Sequence, residues 1–272
     1  MSYASIMVGM DPGPHASKRA ALAAHLARGF DARLIGVAAW GPDYPHRFGE
    51  TSVPPGYGVE EIRLAALDEL RQAEEVFRLA ATPAERFEWR SEIVEPVSFL
   101  ESQSRVADLV VVGRRGEQDL PRLLQAVSPG AALMALGRPV LVVPPGMDRL
   151  LASRVLIAWK NTLQSRRAIS DAMPLLKRAD QVEVLRVTND TDRTELDDVV
   201  AYLGLHGINA TGAIRAPDSA GVAATILSAT ESLGADLIVS GAFGYSRLRE
   251  WFFGGVTRDL LDRSPVCCLM AH

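Results

Sequence analysis

The sequence predicts an α/β protein built as two tandem, doubly wound parallel-sheet domains. Three observations predict it. Short apolar runs alternate along the chain with stretches that are apolar at i, i+3 and i+4. The runs are apolar at consecutive positions, as strands are when helices cover both faces of a parallel sheet. The whole pattern also occurs twice in the same order: "ADLVVVGRRG" at 107–116 returns as "ADLIVSGAFG" at 235–244, each followed by a second apolar run, "GRPVLVVPP" and "RSPVCCLMA".

In the first half the predicted strands read "IMVGM", "RLIGVAA", "FEWRSEIV", "DLVVVG" and "PVLVVP". In the second they read "RVLIAW", "QVEVLRV", "ATGAIRA", "DLIVSG" and "PVCCLM". Alanine-rich "ASKRAALAAHLARGF" and its counterpart "SRRAISDAMPLLKRA" follow the first strand of each half and carry helical spacing. "GVEEIRLAALDELRQAEEVFRLA" and "TELDDVVAYLGLHG" do the same after the second strands. The repeat places the seam near Pro144–Leu151 and divides the chain into domains 1–149 and 150–272. A Pro- and Gly-rich insert at 41–58 has no match in the second half and reads as a tolerated surface loop rather than a lid.

Charge and composition narrow the function classes. Lys and Arg total 29 against 33 acidic residues, a formal charge of −4. That balance offers no basic field for nucleic acid or an anionic membrane surface. No apolar run is long enough to span a bilayer, and "MSYASIMVGMDPGPH" lacks the basic and apolar regions of a signal peptide. The expectation is a cytoplasmic protein. Cys267 and Cys268 are adjacent in a predicted strand, so they point to opposite faces and read as buried small hydrophobes, not as a disulfide.

In an open parallel sheet, ligands bind beyond the carboxyl ends of strands near the switch in strand order. Two places in each half satisfy that rule. The turn after the first strand carries Asp11 in one half and Lys160 in the other. A glycine loop follows the fourth strand, with Gly113 and Gly116 in the first half and Gly241, Gly244, Gly254 and Gly255 in the second. A carboxylate at the first place accepts from a base or ribose. Backbone N–H groups at the second suit phosphate, although glycines also serve simple tight turns. Thr257 is expected to cap the final helix, "RDLLDR", and to offer its hydroxyl to a phosphate; Ser128 before Pro129 is its counterpart. Arg114 and Arg115 read as a solvated face, and Trp251, Phe252 and Phe253 as core or interface packing. The acids Asp197 and Asp198 should face water. The histidines lack metal-ligand spacing, and neither G-x-S-x-G nor G-x4-G-K-[S/T] occurs.

These residues, over nearly the whole chain, resemble a tandem universal stress protein. ATP-binding members of that family carry G-x2-G-x9-G-[S/T] after the fourth strand and an Asp after the first. Gly241, Gly244 and Gly254 match in the second half, where Gly255 replaces the hydroxyl residue. Gly113 and Gly116 match in the first, where Ala126 replaces the next glycine. Asp11 matches the family carboxylate, whereas Lys160 stands in its place in the second half. Lysine cannot accept from an adenine amino group; it meets a phosphate or pairs with an acid.

The resemblance implies Rossmann-like domains of the adenine nucleotide alpha hydrolase-like kind, related by a pseudo-twofold axis. The last strands, "PVLVVP" and "PVCCLM", would lie at their interface. It implies ATP or another adenine nucleotide, in the C-terminal half before the N-terminal one, with no metal beyond Mg accompanying the nucleotide. A homodimer of the fused chain is compatible with it. The implied role is a stress-response protein acting through conformation or partner binding. The rival reading is a nucleotide-free, chaperone-like scaffold, and a slow nucleotide hydrolase or transferase comes third because no general base or nucleophile stands out.

Overall fold

The computed structural model describes residues 2–41, 59–114, 127–243 and 255–272. Strands β1 (Ser5–Gly9), β2 (Arg33–Ala39), β3 (Phe87–Glu92), β4 (Leu109–Gly113) and β5 (Val140–Val143) belong to the first half. Strands β6 (Arg154–Trp159), β7 (Gln181–Val187), β8 (Ala210–Arg215), β9 (Leu237–Gly241) and β10 (Cys267–Ala271) repeat them. All ten join one sheet in the order β3-β2-β1-β4-β5-β10-β9-β6-β7-β8. Pairing is parallel within each half, and only β5 and β10 run antiparallel, with Leu141 opposite Leu269. The last strands therefore meet at the seam, and the sheet reads the same from either edge.

Side chains alternate across that sheet. Ile6, Val8, Val111, Leu141, Ile157, Val239, Cys267 and Leu269 enter one buried cluster. Met7, Val110, Val112, Val142, Leu156, Ile238, Cys268 and Met270 enter the other. Strands apolar at successive positions have two faces to bury, and helices cover both. The edge strands β3 and β8 are the ones left half-exposed. Cys267 and Cys268 take opposite faces as free, buried thiols.

The helices are α1 (Ala16–Phe30), α2 (Val59–Ala80), α3 (Pro96–Ser104) and α4 (Pro129–Ala135) in the first half. Those of the second are α5 (Leu163–Leu176), α6 (Thr194–Leu205), α7 (Val222–Leu233) and α8 (Gly255–Arg263). α5 begins two residues before the predicted segment because Thr162 caps it, its hydroxyl oxygen accepting from Ser165 N–H at 3.2 Å. Ser128 precedes α4 with Pro129 at its first position, but its side chain makes no capping bond.

Contacts across the seam are specific. The Tyr3 hydroxyl donates to the Asp171 carbonyl at 2.7 Å, and the Arg178 guanidinium lies 3.7 Å from the Phe30 ring centroid. Burial of Tyr3 holds its phenol protonated well beyond the ordinary range. Arg114, expected in water, instead donates to the Asp262 carbonyl in the last turn of α8 at 2.5 Å, where a cation meets the negative end of the helix. Of the predicted insert at 41–58, residues 42–58 lie outside the described residues, as do Arg115, Trp251, Phe252 and Phe253.

Candidate functional site

Strand order switches between β6 and β9 in the second half, since β6 pairs with β7 on one side and β9 on the other. A cleft of about 530 Å³ opens at the carboxyl ends of these strands, within the range of small-molecule sites. Lys160, Thr162, Gly241, Phe243, Gly255 and Thr257 line one part of it. Ala158, Leu185, Val187, Val222 and Ile226 supply an apolar wall.

Gly241 is glycine for a steric reason. A Cβ there would lie 2.6 Å from the Ser165 nitrogen and 2.8 Å from the Gln164 carbonyl carbon, so the first turn of α5 rests directly on the end of β9. At Gly255, by contrast, a Cβ would meet nothing within 4 Å. Two helix N-termini thus line the same cleft, and neither has an acidic residue in its first turn. Helix N-termini present N–H groups without intrahelical partners and carry positive potential.

Lys160 is exposed at the mouth of the cleft. It stands two residues beyond Ala158, which pairs with Ser240 of β9 on one side and Leu185 of β7 on the other, so it lies past the carboxyl end of β6 at the switch in strand order. Around the rim, Arg166 donates to Asn161 Oδ1 at 2.7 Å and Asn161 Nδ2 donates to Glu195 at 3.0 Å. Arg186 is committed to the Asp192 carbonyl and the Asp190 carboxylate.

Thr257 corrects the sequence reading. α8 starts at Gly255, so Thr257 sits inside its first turn and is not the cap. Its buried hydroxyl oxygen accepts from the Phe243 N–H at 3.3 Å, tying α8 to the loop that leaves β9. Phe243 itself has φ +52, a left-handed backbone that bulky residues rarely adopt. Nothing in its residue type announces that geometry. Gly244 and Gly254 lie outside the described residues.

The corresponding place in the first half is built from Asp11, Arg19 and Gly113. Asp11 Oδ1 accepts from the Gly13 N–H at 2.8 Å, and Oδ2 accepts from Arg19 Nη2. Arg19 Nε donates to the Gly9 carbonyl at 3.0 Å. A Cβ on Gly113 would collide with Arg19 Nη1. Arg19 is only 5 % exposed, and the sequence reading passed over it because it sits in a Lys-Arg pair. Its signal is its place on the buried stripe of α1, among alanines. Gly116 and Ala126 lie outside the described residues. Among the described residues no three His, Cys, Asp or Glu side chains gather as metal ligands, and no helix is long and apolar enough to cross a membrane.

The universal stress protein family model matches residues 2–144 and, again, 152–272. Among solved structures, a universal stress protein from Archaeoglobus fulgidus DSM 4304 superposes with a TM-score of 0.74 at 18% identity, covering 98% of this chain and 96% of that one. A functionally unknown protein from Pseudomonas aeruginosa PAO1 gives 0.57 at 15% identity, covering 98% and 92%. A putative universal stress protein from Pseudomonas aeruginosa UCBPP-PA14 gives 0.56 at 17% identity with the same coverage. These likenesses establish the fold along both halves. No curated protein matches the chain in sequence.

Proposed function

The chain belongs to the universal stress protein family, and on that premise we propose that its second half binds an adenine nucleotide and signals through conformation or partner binding. The observation that carries the reading is convergence: the N-termini of α5 and α8, the Lys160 ammonium and the open backbone at Gly255 all border one cleft, with Gly241 at its base. Each favours an anion, and together they suit a phosphate chain. The wall of Ala158, Leu185, Val187 and Ile226 suits the flat face of a base.

The substitution of Lys160 for the family carboxylate fits this arrangement. An ammonium at the end of β6 contributes charge to phosphates in the cleft, and the base must find its polar contacts elsewhere on the rim. That the base is adenine rests on the family resemblance, in which ATP-binding members carry this glycine spacing. Hydrolysis is no part of the proposal, because no described residue of the cleft is placed as a nucleophile with an adjacent base.

Isothermal titration calorimetry with ATP and AMP tests it. Saturable binding tighter than millimolar is expected in the wild-type chain, and Gly241→Val should remove it. A wild-type chain that gives no heat with either nucleotide up to millimolar concentration would overturn the reading and leave the scaffold as the alternative.

A further inference from the structure

The strand pairings align the two halves through their first strand, and the burial pattern carries the alignment into the first helix. Ile6 pairs with Leu109 as Val155 pairs with Leu237. Carrying that register forward sets Ala20 against Ile169, Ala23 against Ala172, Ala24 against Met173 and Ala27 against Leu176, every one buried. In the same register Asp11 meets Lys160, Gly113 meets Gly241, and Arg19 meets Ala168. The core position that holds a methyl group in the second half therefore holds a guanidinium in the first.

From this we infer that the first half's strand-end crevice is filled by Arg19, an internal ligand, so that the chain takes up one nucleotide and not two. The identity of that nucleotide rests on the reading proposed above; the filling of the crevice does not. Arg19 reaches from α1 to the switch point between β1 and β4, where Nε takes the Gly9 carbonyl, Nη2 takes Asp11 and Nη1 lies over Gly113. A planar guanidinium with donors on both edges satisfies several acceptors at once. Both Asp11 oxygens are engaged, one by Arg19 and one by the Gly13 N–H, so the carboxylate meets an arginine where a base or ribose would otherwise sit.

The assignment changes the meaning of Gly113. In the second half Gly241 is glycine because the α5 backbone approaches it. In the first half Gly113 is glycine because Arg19 does. The same residue at the same strand end thus admits a helix turn in one copy and a side chain in the other. Gly113 and Asp11 serve the arginine.

Equilibrium dialysis of the full chain against saturating radiolabelled ATP, with 8-azido-ATP photolabelling to locate the adduct, tests the inference. The wild type should hold one ATP per chain, with labelled peptides from the second half only. Arg19→Ala should raise the ratio toward two, and millimolar guanidinium ion, refilling the vacated space, should return it to one. Two ATP per wild-type chain, label in the first half, or a folded Arg19→Ala chain still at one would overturn it. If the wild type binds no ATP, the proposed ligand fails while Arg19 is judged by melting. Gly113→Ala should lower the midpoint in the wild type and leave it unchanged in an Arg19→Ala background. Equal shifts in both backgrounds would refute the role given to Gly113. Should Arg19→Ala fail to fold, the wild-type ratio and label position still decide.

Discussion

At the end of β4 the backbone of Gly113 faces the guanidinium of Arg19, whereas at the end of β9 Gly241 faces the first turn of α5. The strands, their register and their neighbours are alike in the two halves. What differs is the nature of a few side chains: Asp11 and Arg19 on one side, Lys160 and Ala168 on the other. The first pair closes on itself through an ion pair buried to 5 % and 17 % exposure. The second leaves a cation at the rim and a cleft behind it. A glycine at a strand end therefore does not by itself mark a ligand site, since both are close-packed; the side chains set beside it, Arg19 in one half and Ala168 in the other, make the difference.

The comparison can be broken most severely by moving the arginine. Ala168→Arg would place a guanidinium in the second half's crevice without the Asp11 equivalent to receive it. Nucleotide binding should vanish, and stability should fall by about 3–5 kcal/mol, the cost of an uncompensated buried charge. Titration calorimetry and urea unfolding report the two effects. Retained affinity would mean that the position does not control the cleft.

Alanine at the two glycines sharpens the contrast. Gly241→Ala drives a methyl into α5 backbone, which cannot yield, and should cost about 1–3 kcal/mol together with most of the nucleotide affinity. Gly113→Ala meets a side chain, which can move, and should leave nucleotide affinity unchanged. Equal loss of binding from both would erase the distinction between the halves.

A smaller effect is expected from Lys160. Replacing it by Ala should weaken ATP about tenfold, or about 1.4 kcal/mol, and weaken AMP less because fewer phosphates are present. The difference from wild type should shrink as salt rises. Loss of the same size for ATP and adenosine would place Lys160 at the base instead.

The smallest contrast concerns the seam that both halves share. Burial pushes the Cys268 thiol up to about 11, and burial pushes that of Cys267 higher still. Neither should react with a thiol reagent at pH 8 in the folded chain, while both react after denaturation. A thiol that titrates freely in the native protein would show that the β5–β10 pairing opens.

Much of this architecture is legible in the sequence because buried parallel strands must be apolar on both faces. "RLIGVAA", "RVLIAW" and "QVEVLRV" coincide with β2, β6 and β7 to the residue. α3 and α7 are less apparent: α3 is short and begins at Pro96, capped by Glu95, whose carboxylate accepts from the Val97 and Ser98 N–H groups. The site is legible only in outline. Strand ends and glycines can be counted, but the left-handed backbone of Phe243 and the place of Thr257 inside α8 arise from how the β9 segment meets that helix. Arg19 is the clearest omission. A charge beside Lys18 reads as solvated, and only its register among buried alanines reveals that it points inward.

The central claim is an open cleft in one half and a filled one in the other, and a crystal structure of the chain grown with ATP tests it most directly. The account predicts phosphate density against Gly241, Gly255 and Lys160, with Arg19 still bridging Asp11 and the Gly9 carbonyl. Nucleotide density beside Asp11 with Arg19 swung away, and none in the second half, would contradict it.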